Sequence, residues 1–163
     1  MQAADPDGAL RQNPRFLLLY AAAAAGGAVA YVPFLTIILP LQAGALAGDG
    51  ALTLLAYAAL AGALTASIAN ILFGWASDRS GVRRPWIAAG LLLSSALMVA
   101  MPQASSGPML IALIIAWQFA LNMMLAPLGA WAGDHVPDGQ KGLLGGLLAF
   151  APALGAFAGI IVT

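Results

Sequence analysis

Apolar and small side chains fill this chain in long unbroken stretches, and the polar positions between them are few and clustered. Uncharged runs cover residues 16–48, 50–77, 85–133 and 142–163. A helix rises about 1.5 Å per residue, so roughly 20 apolar residues cross a hydrocarbon core about 30 Å thick. Every run passes that length. The third is long enough for two crossings, and it divides at 101–108, MPQASSGP, where proline, serine and glycine supply turn chemistry. The pattern predicts five membrane-spanning helices at about 16–41, 51–76, 86–101, 109–132 and 143–163, after a tail over 1–15. Strands are not expected, because the runs are too long, rich in Ala and Leu, and lack the two-residue alternation of a membrane barrel. In lipid the helix is then what satisfies every backbone N–H and C=O. The predicted fold class is an all-α, polytopic membrane helix bundle.

The first span has a rival. Arg11 and Arg15, then FLLLYAAAAA, then Ala28-Val29-Ala30 imitate a cleavable signal peptide. The apolar run continues through 31–39, where a signal peptide would give way to polar mature sequence, so the uncleaved span is preferred. A mature chain beginning at Tyr31 is the alternative.

Composition narrows the solvent. Hydrophobic residues make up 62% of the 163 positions and charged residues 7%, with mean hydropathy +0.93. Soluble domains carry about 25% charged residues, so this surface is built for lipid. The net charge is zero, which gives no bulk signal for nucleic acid. With no cysteine there are no disulfides or thiolate metal sites, and His135 is the one histidine.

The basic residues fix an expected orientation. Arg11 and Arg15 are in the tail, Arg79, Arg83 and Arg84 between the second and third spans, and Lys141 between the fourth and fifth. The connections at 42–50 and 102–107 have none. All six therefore fall on one side, which the positive-inside rule makes cytoplasmic. The N-terminus is expected inside, Thr163 near the outer face, and the chain in a bacterial inner (plasma) membrane. Trp86 and Trp131 sit beside inner loops, as interfacial aromatics do. An odd span count with no closing basic flank is read as a fragment.

A third of the charge lies in one loop, Gly74-Trp-Ala-Ser-Asp78-Arg79-Ser-Gly81-Val-Arg83-Arg84. Asp78 stands where the second helix ends. A carboxylate there opposes the helix dipole and wants a basic partner or another helix's N-terminus. Gly81 suits a tight turn, and Pro85 can open the third helix. A positive-inside anchor accounts for the arginines but not for Asp78 or the glycine offsets.

The loop resembles the signature between helices 2 and 3 of the major facilitator superfamily, roughly G-x-x-x-D-R-x-G-x-R/K. It departs at Val82, where many members carry a first basic residue. The stretch 122–142, with Asn122, Pro127, Asp134, Pro137 and Lys141, is similar to the branch holding sugar:cation symporter-like carriers. The helix-4 arginine of many antiporters is missing, which argues against drug:proton antiport. The resemblance spans about 16–163, and its well-matched motifs cover 74–86 and 122–146.

The resemblance implies a secondary-active carrier of a small solute working by alternating access, coupled to H+ or Na+ and needing no cofactor. It implies twelve helices in two bundles of inverted repeats, of which this chain would hold the first five, its other partners being the bilayer and the missing C-terminal helices. Gly74, Asp78, Arg79, Gly81, Arg83 and Arg84 would form a cytoplasmic latch. Asp78 would meet a helix of the other bundle in the outward-facing state, and Asp134 would be the partner of Arg83. The competing reading of these charges is simple hydration.

The spans contain no ionisable acid, base or histidine, so they offer no proton-coupling residue. Gln118 and Asn122, four apart in the fourth span, share a helix face and could hydrogen-bond a hydroxylated or amide-bearing solute. Interhelical hydrogen bonding is their alternative use. Tyr31 is a third substrate-facing candidate, with Thr36, Thr65 and Asn70 behind it. Gly155-Ala-Phe-Ala-Gly159, preceded by Gly142, Gly145 and Gly146, is read as a close-packing face, and Pro33, Pro40, Pro127 and Pro152 as kink sites. An enzyme is not expected, because no nucleophile–base pair or metal set lies in the spans. Asp134, His135 and Asp138 imitate a metal site but offer only three ligands in one loop. The remaining alternative is a non-transporting polytopic membrane protein or assembly subunit.

Overall fold

The computed structural model describes residues 11–162, and among them every regular element is helical. The expectations for residues 1–10 and for Thr163 lie outside this range. The α-helices are α1 (Pro14–Pro33), α2 (Leu39–Ala47), α3 (Ala51–Ser80), α4 (Arg84–Ala100), α5 (Gly107–His135), α6 (Asp138–Ala149) and α7 (Ala151–Val162). Among the described residues, four helical stretches are long and apolar enough to cross a membrane: Pro14–Ser80, Arg84–Gln103, Gly107–His135 and Asp138–Ile161.

The connection expected at 42–50 is mostly helix. Its sequence LQAGALA is rich in good helix formers, and α2 continues to Ala47. A single 3₁₀ turn, Gly48–Gly50, follows, with Gly48 at φ +51°, a backbone region that favours glycine. The helices also outrun the expected spans at their charged ends, to Ser80 and to His135.

Two of the four prolines stand at irregularities. Pro33 ends α1 and is followed by a π-helical turn, Phe34–Ile38, in which the Leu39 N–H reaches the Phe34 carbonyl. Proline has no N–H to continue the regular ladder, and helix irregularities gather at such positions. Pro152 is the second residue of α7, just past the break at Phe150 that divides the expected fifth span into α6 and α7. Pro127 lies inside α5 without ending it, and Pro40 sits in the first turn of α2.

The chain divides into two compact units. The first contains α1, the π turn, α6 and α7. Asn13 caps α1, its side-chain oxygen accepting from the Arg15 N–H at 2.9 Å, with Pro14 at the first helical position. A methyl group on Gly155 would lie 2.6 Å from the Ala28 carbonyl oxygen, and one on Gly159 would lie 3.3 Å from Ile37 and 3.5 Å from Pro33. This small-residue face therefore packs on α1. Gly142, Gly145 and Gly146 differ: a methyl on any of them would meet nothing within 4 Å. Since Ala28 faces Gly155 and Ile37 faces Gly159, α1 and α7 run parallel.

The second unit is Pro40–Ala132. Leu54 packs on Gly107, Gly62 on Ile114 and Gln118, and Phe73 on Phe119, so α3 and α5 also run parallel. Between them in sequence, α4 runs the other way. Trp86 at its start meets Phe73, and the Met101 carbonyl beyond its end accepts from the Gln42 amide at 2.7 Å. Where α4 crosses α5, a methyl on Gly90 would lie 2.5 Å from the Met124 backbone nitrogen and 2.9 Å from the Ala120 oxygen. The buried residues of α4 are Gly90 and Ser94, four apart on that face.

Candidate functional site

The charged loop is built by the end of α3. Ser77 and Ser80 sit in its last turns, each hydroxyl donating to a carbonyl three residues back, at 2.9 Å. The helix stops at Gly81, whose φ of +67° is the left-handed C-terminal geometry that glycine adopts without strain. The Gly81 N–H then bonds the Asp78 carbonyl at 3.3 Å. Three residues on, α4 begins with Pro85 in its first turn.

Side chains then close the loop on itself. The Trp86 indole N–H donates to the Ser80 hydroxyl at 3.0 Å. Its ring rests against Phe73, centroids 5.7 Å apart, in a cluster with Ala69, Met123 and Ala126. Across the top, the Arg83 guanidinium donates to the Asp78 carboxylate at 2.8 Å. The basic partner that a carboxylate at a helix C-terminus needs thus comes from the same loop. Arg83 is mostly covered, with 18% of its side chain accessible, whereas Asp78 retains 59%. One face of the carboxylate is tied down and the other is open. Arg79 lies over Trp75, 6.0 Å from the ring centroid, within cation–π range. Arg84 is exposed.

The amide pair of the fourth span falls on α5. Asn122 is buried, its amide donating to the Gln118 carbonyl at 2.8 Å and its oxygen accepting from Asn70 at 3.4 Å. This is a polar seam between α3 and α5, and it commits both polar ends of the Asn122 side chain. Gln118 is half-buried against Gly62. The hydroxyls of Thr36 and Thr65 are spent on their own helices, each donating four residues back at 2.8 Å. Tyr31 is half-buried on α1, in the first unit.

Asp134 also belongs to the first unit, at the exposed end of α5. Among the described residues, Asp134, His135 and Asp138 do not gather into a group that could hold a metal. Asp138 instead takes Lys141 at 2.6 Å across one turn of α6. That hydrogen bond and charge hold its carboxyl below the ordinary range, at a fully exposed position before the last apolar run.

Two features were missed by sequence reasoning. The Gly90 crossing carries a legible signal, Gly90-Leu-Leu-Leu-Ser94, the same small-xxx-small spacing recognised at Gly155. The other is a reciprocal amide clasp in the first unit. The Gln12 N–H donates to the Gln140 side-chain oxygen at 2.7 Å, and the Gln140 amide returns to the Gln12 carbonyl at 3.1 Å. The Gln12 side chain reaches the His135 carbonyl at 2.7 Å. No local pattern announces a pairing between glutamines so far apart in sequence. No protein-family model, curated protein or solved structure matches this chain.

Proposed function

We propose that this chain forms the first five membrane-spanning helices of a secondary transporter of the major facilitator type, moving a small solute by alternating access. The observation that carries the reading is the state of Asp78. It is an exposed carboxylate at a helix end, held on one side by Arg83 in a loop braced by Ser80, Trp86 and Phe73. A carboxylate presented in this way can accept hydrogen bonds from the N-terminus of a further helix. Making and breaking that contact is what a conformational latch requires.

The helix directions support five crossings. Parallel α1 and α7 require an odd number of crossings between them, and α3, α4 and α5 supply three. A crossing on each side of the Gly48–Gly50 turn is the reading that agrees with these directions. The ends of the units support the charge count as well. In the second unit, 42–54 and 101–107 share one end and contain no basic residue, while the three arginines of the loop sit at the other. In the first, the clasp brings the start of α1, with Arg15, beside the start of α6, with Lys141. By the positive-inside rule these basic ends are cytoplasmic. The solute would contact Asn122, Gln118 or Tyr31 only if their present hydrogen bonds and packing open during the cycle.

Proteoliposomes carrying the product of the whole gene test the reading. With an imposed proton or sodium gradient and a panel of hydroxylated and amide-bearing solutes, gradient-dependent flux is expected. Asp78→Asn should lower it on the order of tenfold, because a charge-assisted contact is worth roughly 1.5–3 kcal/mol in the balance of states. Flux unaffected by Asp78→Asn would reject the latch, and absence of flux for the whole panel would favour the assembly-subunit alternative.

A further inference from the structure

The outward face of α3 bears a stripe that the transport reading leaves unused. Ile68, Ile71, Leu72 and Trp75 line an open apolar groove of about 340 Å³. Their three- and four-residue spacing puts them on one helix face. All four are exposed, Ile71 at 75% and Trp75 at 62%. One turn beyond Trp75, on the same face, lies Arg79. It is exposed, its guanidinium lies over the indole at 6.0 Å, and it makes no ion pair among the described residues.

We propose that the groove and Arg79 together bind an anionic phospholipid, one acyl chain lying along Ile68, Ile71, Leu72 and Trp75 and the phosphate held by Arg79. The order of chemistry along the stripe matches that of the lipid: a long apolar section, then an amphipathic indole at the depth where headgroups begin, then a fixed positive charge. Anionic lipid is favoured over zwitterionic lipid by the surrounding charge. The loop holds three arginines to one aspartate, and that aspartate is already engaged by Arg83. Its field at the membrane surface is therefore positive. Stacking on Trp75 restrains the guanidinium, so less side-chain freedom is lost when a phosphate binds. A protein helix laid in the groove would fill the apolar section but would have to bring its own acid to Arg79. The inference needs only that α3 lies in a bilayer, and it stands or falls independently of transport.

The test uses the whole chain in phosphatidylcholine vesicles doped with phosphatidylglycerol, with brominated acyl chains on one lipid or the other. Bromine quenches tryptophan at contact distance, and the difference between the native chain and Trp75→Phe isolates the signal of Trp75. Phosphatidylglycerol should occupy the site about fivefold in preference to phosphatidylcholine, the ratio given by roughly 1 kcal/mol per interfacial arginine. Arg79→Gln should bring the two lipids to equality, and Arg79→Lys should keep the preference. Both substitutions are at an exposed position, and retained helical circular dichroism is the folding control. Equal quenching by the two lipids in the native chain, or a preference that survives Arg79→Gln, overturns the proposal. So does absence of Trp75 quenching by either lipid, which would mean that a protein segment covers the groove.

Discussion

The second unit joins its helices in two different ways. Where α4 crosses α5, backbone lies on backbone, and the contact exists because Gly90 has no side chain. Where α3 runs beside α5, the contact is made by side chains: Asn70 with Asn122, Phe73 with Phe119, Gly62 beneath Gln118. In lipid, hydrophobic burial does not distinguish a neighbouring helix from an acyl chain, so close packing and polar bonds must do so. The first contact is rigid and all-or-none. The second is adjustable, since amides and rings can change partners without moving a backbone.

Breaking the rigid contact should have the largest effect. Gly90→Val places carbon where the Met124 nitrogen and Ala120 oxygen already are, and is expected to destabilise by about 3 kcal/mol, the upper end for overpacking. Gly145→Ala is the control, because its added methyl meets nothing within 4 Å, and should leave stability unchanged or raise it by up to about 1 kcal/mol, the gain of alanine over glycine inside a helix. Unfolding of both variants in mixed detergent and SDS micelles measures the difference. Equal costs at the two positions would show that the Gly90 crossing yields.

The polar seam should respond less. Asn122→Ala removes the partner of Asn70 and is expected to cost about 1 kcal/mol in the same unfolding measurement, in line with interhelical hydrogen bonds in membranes. A cost as large as that of Gly90→Val would erase the distinction between the two contacts. If transport is established, solute affinity unchanged in Asn122→Ala would assign this residue to packing alone.

The smallest effect belongs to the ion pair of the loop. A double-mutant cycle on Asp78 and Arg83 should give a coupling of about 0.5 kcal/mol, because Asp78 is well exposed and water screens the pair. The same cycle on Arg83 and Asp134 tests the pairing that the family resemblance implies. Additive effects there would leave Asp78 as the partner of Arg83.

Much of this was legible in the chain. Helical segments followed from apolar run length, and the end of α3 followed from glycine: Gly81 takes the positive φ that its place after Asp78-Arg79 suggested. The Gly155–Gly159 face was found from spacing. Other expectations needed the third dimension. The same small-residue reasoning fails at Gly142, Gly145 and Gly146, because a glycine shows only that a close approach is allowed, not that a partner arrives. The segment 42–47 was expected to be a connection, yet it is helix, since Ala and Leu satisfy helical propensity whether or not a span has ended.

Sequence by itself determined that this is an all-helical chain fit for a bilayer, that its basic residues fall into a few connections, and that a glycine stops α3 beside an aspartate. These follow from local quantities: run length, charge and backbone freedom. Tertiary structure decided which small residues are contacts, that Asn122 bonds across to α3, that Gln12 and Gln140 clasp, and that Arg83 covers one side of Asp78. Each of these depends on which helix lies beside which. That choice is made by packing and by the pairing of polar groups between segments distant in sequence, and no single stretch of sequence contains it.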